Sequence, residues 1–300
     1  MTRVAVVVNP SKTRAKGVAD RVAQGCAERG WPEPEVLETA VDSTGRDQAA
    51  AAARAGAELV LACGGDGTVR AVAHGLAGTG AAMALVPVGT ANLLAHNLGL
   101  ATRDTGRAVD TALDGRRRPL DLGLARLGED GSEHPFVVLA GIGHDAATVA
   151  DTRDDLKHRI GWPAYVTPAA RHALRRPVPV RVRLDDGPAR EVVAWSVLAA
   201  SCGRVRAGVQ IAPGALLDDG LLDVLEVTVA RPVGWLPVAA KGVLGLRRDV
   251  PGLRTRRAAE LEVTADQPLH VQLDGDIMGR VDRLRVRVER RAVDVVGGAR

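Results

Sequence analysis

The sequence predicts two domains of different class: an α/β domain with a mainly parallel sheet over residues 1–120, and an antiparallel β-sandwich over 121–300 whose last strand can return to the first domain. Three observations carry this. At 300 residues the chain is longer than a single hydrophobic core usually sustains. Up to about residue 120, short apolar runs rich in β-branched residues alternate with helical segments, the grammar of parallel strands covered on both faces. Beyond Arg116–Pro119 strands dominate, and several alternate: Val178, Val180, Val182 and Leu184 face one way, Arg181, Arg183 and Asp185 the other, as in a half-buried antiparallel sheet.

In chain order, Val4–Val8 is a buried strand. Val18, Val22, Cys26 and Ala27 recur at helical spacing until Gly30 stops the helix. Val36–Thr39 is a second strand, Gly45–Gly56 an Ala-rich helix, Leu59–Cys63 a third strand with a helix over Thr68–Leu76, and Met83–Pro87 a fourth with a helix near Ala91–Leu98. The second domain reads as strands at Leu120–Leu127, Phe136–Ala140, Val178–Leu184, Val192–Ala200, Leu222–Val229, Ala259–Val263, Leu269–Leu273 and Leu284–Val288. Helices interrupt them at Pro163–Leu174 and Val233–Leu246. The cleft between two such domains is the default place for an active site.

Composition narrows the function classes. Aromatics are 2% of the chain, so the cores must be built from Val, Leu and Ala. The net charge of +4, nearly all from Arg, suits anionic partners without choosing among them. Basic residues are not interleaved with aromatics as in single-stranded nucleic acid binders, so no nucleic acid partner is expected. Cys26, Cys63 and Cys202 form no CxxC pair and no complete disulfide set, which points to buried thiols in a reducing, cytoplasmic setting. The first apolar run ends at Asn9, too short for a signal peptide, and no stretch approaches the ~20 apolar residues of a membrane span.

Two motifs carry chemistry. Gly64-Gly65-Asp66-Gly67-Thr68 follows a buried strand and opens a helix. Its glycines allow a sharp turn and close approach of backbone to a phosphate, and the helix start adds N–H groups and positive dipole. Asp66 or Thr68 can cap that helix, or Asp66 can hold Mg²⁺ on the phosphates. Pro87-Val88-Gly89-Thr90-Ala91-Asn92 occupies the same place after the next strand, so two phosphate-facing loops lie side by side where open α/β sheets bind ligands. The first domain is therefore expected to bind a phosphate-bearing ligand. Asp218-Asp219-Gly220 on its own reads as a polar turn, and Asp274-Gly275-Asp276 equally as a Gly turn with two solvated acids. His144 and Asp145, after Gly141-Ile142-Gly143, receive no chemical role. The remaining His residues lack metal-ligand spacing.

The chain resembles the soluble bacterial lipid kinases related to diacylglycerol and sphingosine kinases. The resemblance runs end to end. It rests on Asn9-Pro10, GGDGT at 64–68, PVGTAN at 87–92, GIGHDA at 141–146, APGALLDDGLLD at 212–223 and QLDGD at 272–276. It implies that ATP is contacted by Asn9, Thr39, the loop Gly64, Gly65, Asp66, Gly67 and Thr68, and Thr90. It implies a Mg²⁺ held by Asp219 with the backbone carbonyls of Leu216 and Leu221. It makes Asp276 the base that takes the proton from a lipid hydroxyl, such as that of diacylglycerol. The chain departs from the family at Arg70 and Ala71, where an Asn-Glu pair is usual, at Leu93 for Asp, and at Asp276 for Glu. Rival readings are an NAD kinase-like enzyme, which shares the GGDG loop, and an inactive lipid- or nucleotide-binding homologue. The helix at 233–246 is expected to face a core and end favourably in Arg247 and Arg248. Clusters at Arg171, Arg175, Arg176 and at Arg254, Arg256, Arg257 are solvated by default. A reversible contact with an anionic membrane surface, at its inner face, and a homodimer are both compatible with the sequence.

Overall fold

A computed structural model describes residues 1–129, 131–150, 173–205 and 209–297. The chain forms two compact units, one of Met1–Leu122 with the chain end from Arg290, the other of Gly123–Glu289.

In the first unit, β1 (Val4–Val8), β2 (Glu35–Glu38), β3 (Leu59–Gly64) and β4 (Ala82–Pro87) are parallel, in the order β2-β1-β3-β4. β1, β3 and β4 are buried along their whole length, which is why they read as unbroken apolar runs. The end of the last strand, β14 (Asp276–Gly297), joins β4 in parallel through Asp294 and Val295. One sheet face packs on α1 (Val18–Glu28) and on α5 (Thr105–Asp114) through Val22, Cys26, Ala108, Val109 and Ala112. The other carries α2 (Arg46–Arg54) and α3 (Asp66–Leu76). Gly75 lets these two helices touch, since a Cβ there would lie 2.2 Å from the Arg46 carbonyl oxygen. The helix expected near Ala91–Leu98 is the single turn α4 (Leu93–Asn97). α5 was not foreseen; Gly106 in its first turn hides the period of Ala108, Val109, Ala112 and Leu113.

The composition break at 116–119 is not a break in the backbone. β5 (Arg116–Leu127) runs through it and carries the chain into the second unit. There the strands are antiparallel: β6 (Glu133–Phe136), β7 (Leu139–Gly143), β8 (Val178–Leu184), β9 (Arg190–Ala194), β10 (Ser196–Ala200), β11 (Leu222–Val227), β12 (Leu253–Ala258) and β13 (Glu260–Leu273). β13 joins two strands that the sequence suggested. Its first half pairs with β8 and its end with β7, with a register shift between Thr264 and Leu269. One bulged strand thereby serves both sheets of the sandwich, over a core that includes Phe136, Ile142, Val182, Val263 and Leu284. The run expected as Phe136–Ala140 divides into β6 and β7, and Val192–Ala200 divides at Trp195 into β9 and β10. β12, hidden by its arginines, was not foreseen.

Residues 163–172 of the expected Pro163–Leu174 helix, and Arg171, lie outside the described residues. α6 (His144–Ala150) follows β7, and α7 (Trp235–Leu244) follows a 3₁₀ turn at Pro232–Gly234. The expectation that α7 turns its apolar side to a core holds for only part of the helix. Trp235 and Val238 do pack inward, but Leu236, Val243 and Leu244 are exposed while Lys241 is buried. All three cysteines are buried free thiols.

Candidate active site

The carboxyl ends of the parallel strands gather the residues expected at a nucleotide. Asn9 ends β1, its N–H donating to the Cys63 carbonyl at 3.0 Å, and its Oδ1 accepts from Ser11 N and Oγ at 3.0 and 2.6 Å. Thr39 ends β2, its N–H on the Val8 carbonyl at 2.9 Å. The 64–68 turn ends β3, and the Gly89-Thr90 turn ends β4 with Thr90 exposed.

The two glycine turns are in direct backbone contact. A Cβ on Gly89 would sit 2.5 Å from the Cα of Gly65, and one on Gly64 would sit 2.3 Å from the Cβ of buried Thr68. Asp66 locks them together: Oδ2 accepts the Asn92 N–H at 3.0 Å and Oδ1 the Leu93 N–H at 2.6 Å. Asn92, left-handed at φ 47°, closes its own turn by accepting from Gly89 N at 3.0 Å and donating to Gly89 O at 2.8 Å. The expected cap is therefore corrected. The N-cap position of α3 is Gly65, not Asp66 or Thr68, and Asp66 accepts the N–H groups at the start of α4 across the loop gap. Because α3 starts at Asp66, Arg70 lies past the first turn, where it opposes the helix dipole less than a first-turn cation would.

In the second unit, Asp274 and Gly275, at φ 51° and 90°, form the two-residue turn that joins β13 to β14. Asp274 is buried. Its carboxylate accepts the backbone N–H groups of Val137, Val138 and Leu139 at 3.0, 2.8 and 2.9 Å. It is thus a structural anchor, not a solvated acid. Asp276, which opens β14 opposite Leu273, is exposed at the tip.

Sequence reasoning missed Asp145. Its N–H donates to Ser196 Oγ at 2.9 Å, and Gln272 Nε2 donates to its Oδ2 at 3.3 Å. Oδ1 is buried without a hydrogen-bond partner. Burial pushes this carboxyl above its ordinary range, against the hydrogen bonds from Ser196, the local backbone and Gln272. The available signal was Gly-x-Gly-x-Asp after a strand, the same strand-turn-helix grammar as the 64–68 loop.

Asp219 lies in the loop before β11, near exposed Leu216 and half-buried Leu221. The expected donors, a carboxylate and main-chain carbonyls, are the hard oxygens that Mg²⁺ selects. Yet Oδ1 accepts the Leu221 N–H at 3.1 Å and Oδ2 is ion-paired with the Arg257 guanidinium. As folded, the Asp219 carboxylate is taken up by Leu221 and Arg257, so it fits Mg²⁺ only with the Arg257 pair released. Among the described residues, no three His, Cys, Asp or Glu side chains gather at one point where a metal would fit.

Asp223, buried on β11, has its carboxyl pushed up to about 6 by burial, with Lys241 pulling it down. The folded state then holds this proton more tightly than the unfolded chain, whose Asp titrates near ~4. The resulting stability is present below about pH 4 and is lost as pH rises through about 6. Melting temperatures of Asp223→Asn are expected to fall less than wild type between those limits. Parallel profiles would remove Asp223 as the source.

Comparisons with known proteins match two parts of the chain to two family models. Residues 3–125 match the diacylglycerol kinase catalytic domain, and residues 137–297 match the YegS C-terminal NAD kinase beta sandwich-like domain. The chain is 26% identical to a diacylglycerol kinase of Bacillus subtilis over 93% of this chain and 91% of that one. It is 33% identical to a probable lipid kinase YegS-like protein of Stenotrophomonas maltophilia over 81% and 80%. A crystal structure of a putative diacylglycerol kinase from Bacillus anthracis shares the fold, with TM-score 0.79 at 18% identity, covering 99% of this chain and 95% of that one.

Proposed function

The chain belongs to the bacterial diacylglycerol kinase and YegS-like lipid kinase family, and we propose that it transfers the γ-phosphate of ATP to the hydroxyl of a lipid such as diacylglycerol. The single observation that carries this is the pair of glycine turns at adjacent strand ends, clamped by Asp66. Such a clamp holds backbone N–H groups in place for phosphates before the nucleotide arrives.

The roles follow from the residues. Asn9, Thr39, the 64–68 loop and Thr90 bind and orient ATP at the carboxyl ends of the first unit's strands. Asp276 accepts the proton of the attacking hydroxyl. The new bond joins that oxygen to the γ-phosphorus, the bond from γ-phosphorus to the β–γ bridging oxygen breaks, and ADP leaves with the electron pair. Mg²⁺ accompanying the nucleotide supplies charge neutralisation when bound. No helix among the described residues is long and apolar enough to cross a membrane. In this reading the acceptor is met by reversible contact with a membrane surface.

The test is ADP release and product formation with diacylglycerol, other lipid alcohols and NAD as acceptors. Phosphorylation of a lipid alcohol is expected. The second-unit family description makes NAD the specific rival, and turnover on NAD alone would replace the lipid reading. For Asp219, Mg²⁺ binding requires the Arg257 pair to open. Mg²⁺ is therefore expected to raise the melting temperature of Arg257→Ala more than that of wild type, and to leave Asp219→Ala unmoved. Equal shifts in all three proteins would return the loop to a plain turn.

A further inference from the structure

An amphipathic helix in a folded domain normally turns its apolar stripe inward, and α7, which packs Trp235 and Val238 inward, carries a second apolar stripe outward. Leu236, Ala239, Ala240, Val243 and Leu244 follow the i, i+3, i+4, i+7, i+8 pattern of one helix face, and all are exposed. Val243 is 79% exposed, whereas Lys241 on the opposite side is only 1% exposed. Burying an ammonium is costly unless it is satisfied, and Lys241 is: Nζ donates to the Arg248 carbonyl at 3.0 Å, with Asp223 as its electrostatic counterpart.

The rotation of α7 is fixed from below. Trp235 packs edge-on against Trp195 with ring centroids 4.7 Å apart. A side chain at Gly242 would come within 2.9 Å of Val209. The outward stripe is therefore built in by the inner face.

Its surroundings define what it fits. Val233, in the turn before α7, is also exposed. The Trp235 indole N–H donates to the Ala173 carbonyl at 3.1 Å, which brings in exposed Leu174 with Arg175 and Arg176. Arg231, Arg247 and Arg248 are exposed at the two ends of the helix segment, and Asp249 is the one acid in residues 229–249. Large apolar side chains ringed by arginines match the boundary between acyl chains and anionic headgroups.

We propose that α7, with Leu174 and Val233, is the element that docks this protein on an anionic lipid bilayer, the stripe entering the acyl boundary and the arginines meeting headgroup phosphates. This deepens the lipid-kinase reading and rests on it for its purpose, since the acceptor lies in the bilayer.

The test is flotation of the full chain with vesicles of phosphatidylcholine alone or with phosphatidylglycerol. Wild type is expected to bind the anionic vesicles, and binding should weaken with added salt. Leu236→Ser, Val243→Ser and Leu244→Ser together should lower the partition coefficient more than about tenfold, and Arg247→Gln with Arg248→Gln more than about fivefold. Melting temperatures confirm that these surface variants are folded. Triple-Ser binding equal to wild type, or equal binding to neutral and anionic vesicles, overturns the proposal. So does a wild-type dimer that the triple-Ser variant dissociates without any vesicle binding, because the stripe would then be covered by a second copy. Turnover on a short-chain, monomeric diacylglycerol separates the two claims. Turnover without flotation overturns the docking surface alone. Flotation without turnover on any lipid supports the docking surface and overturns the lipid-kinase reading.

Discussion

Replacing Asp66 by Ala is expected to abolish measurable kinase activity and to weaken ATP binding in a direct titration, while leaving a folded protein. Both carboxylate oxygens accept backbone N–H groups of the neighbouring turn, from Asn92 and Leu93. Hydrogen bonds to a charged group contribute about 1.5–3 kcal/mol each, so the local loss is several kcal/mol, concentrated where Gly65 and Gly89 meet. The β-sheet beneath is buried and does not depend on Asp66, so far-ultraviolet circular dichroism should be retained with a lowered melting temperature. Asp66→Asn separates geometry from charge: its amide oxygen can still take one N–H, but its NH₂ faces the other. An intermediate loss is expected. Wild-type kcat and KM in Asp66→Ala would show that the turns hold their shape without the clamp, and the nucleotide site would have to be sought elsewhere.

This clamp also shows where sequence reasoning reaches its limit. The two Gly-Thr turns were legible because glycine, threonine and a preceding β-branched run are each dictated by local backbone needs. That Asp66 serves the second turn is a contact across 26 residues, and no local pattern encodes it. Asp274 follows the same logic. Asp-Gly between strands predicts a tight hairpin turn, and the turn is there. The three N–H groups of residues 137–139 that its carboxylate anchors come from a distant part of the chain. α7 failed for a related reason. Its helix was foreseen, but which face turns inward is set by Trp235 on Trp195 and by close packing at Gly242, with Lys241 satisfied by a carbonyl seven residues on. Periodicity gives the stripe and not the direction in which it points.

Asp276→Asn is expected to lower kcat by about 10²–10⁴, the usual contribution of a general base, with the KM for ATP little changed, because the nucleotide loops belong to the other unit. The hairpin explains why the base would be this acid and not its neighbour. Asp274 is buried and committed to three backbone donors, so it has little capacity left for a substrate proton. Its removal should act on stability instead, at about 3 kcal/mol or more for the unsatisfied N–H groups. Asp276, two residues on, is exposed at the first position of β14. The left-handed pair Asp274-Gly275 holds it there at a fixed register opposite Leu273. Against the Glu that the family resemblance leads one to expect here, Asp draws the carboxylate back by about 1.5 Å, one C–C bond. Asp276→Glu should therefore keep activity if the acceptor pocket takes the longer arm. The two neighbouring acids thus make opposite forecasts: Asp276→Asn loses rate with an unchanged melting temperature, and Asp274→Asn loses melting temperature first. If Asp276→Asn turns over as fast as wild type, the base is another group, and Asp145, whose carboxyl is raised by burial and whose Oδ1 lacks a hydrogen-bond partner, is the next to replace.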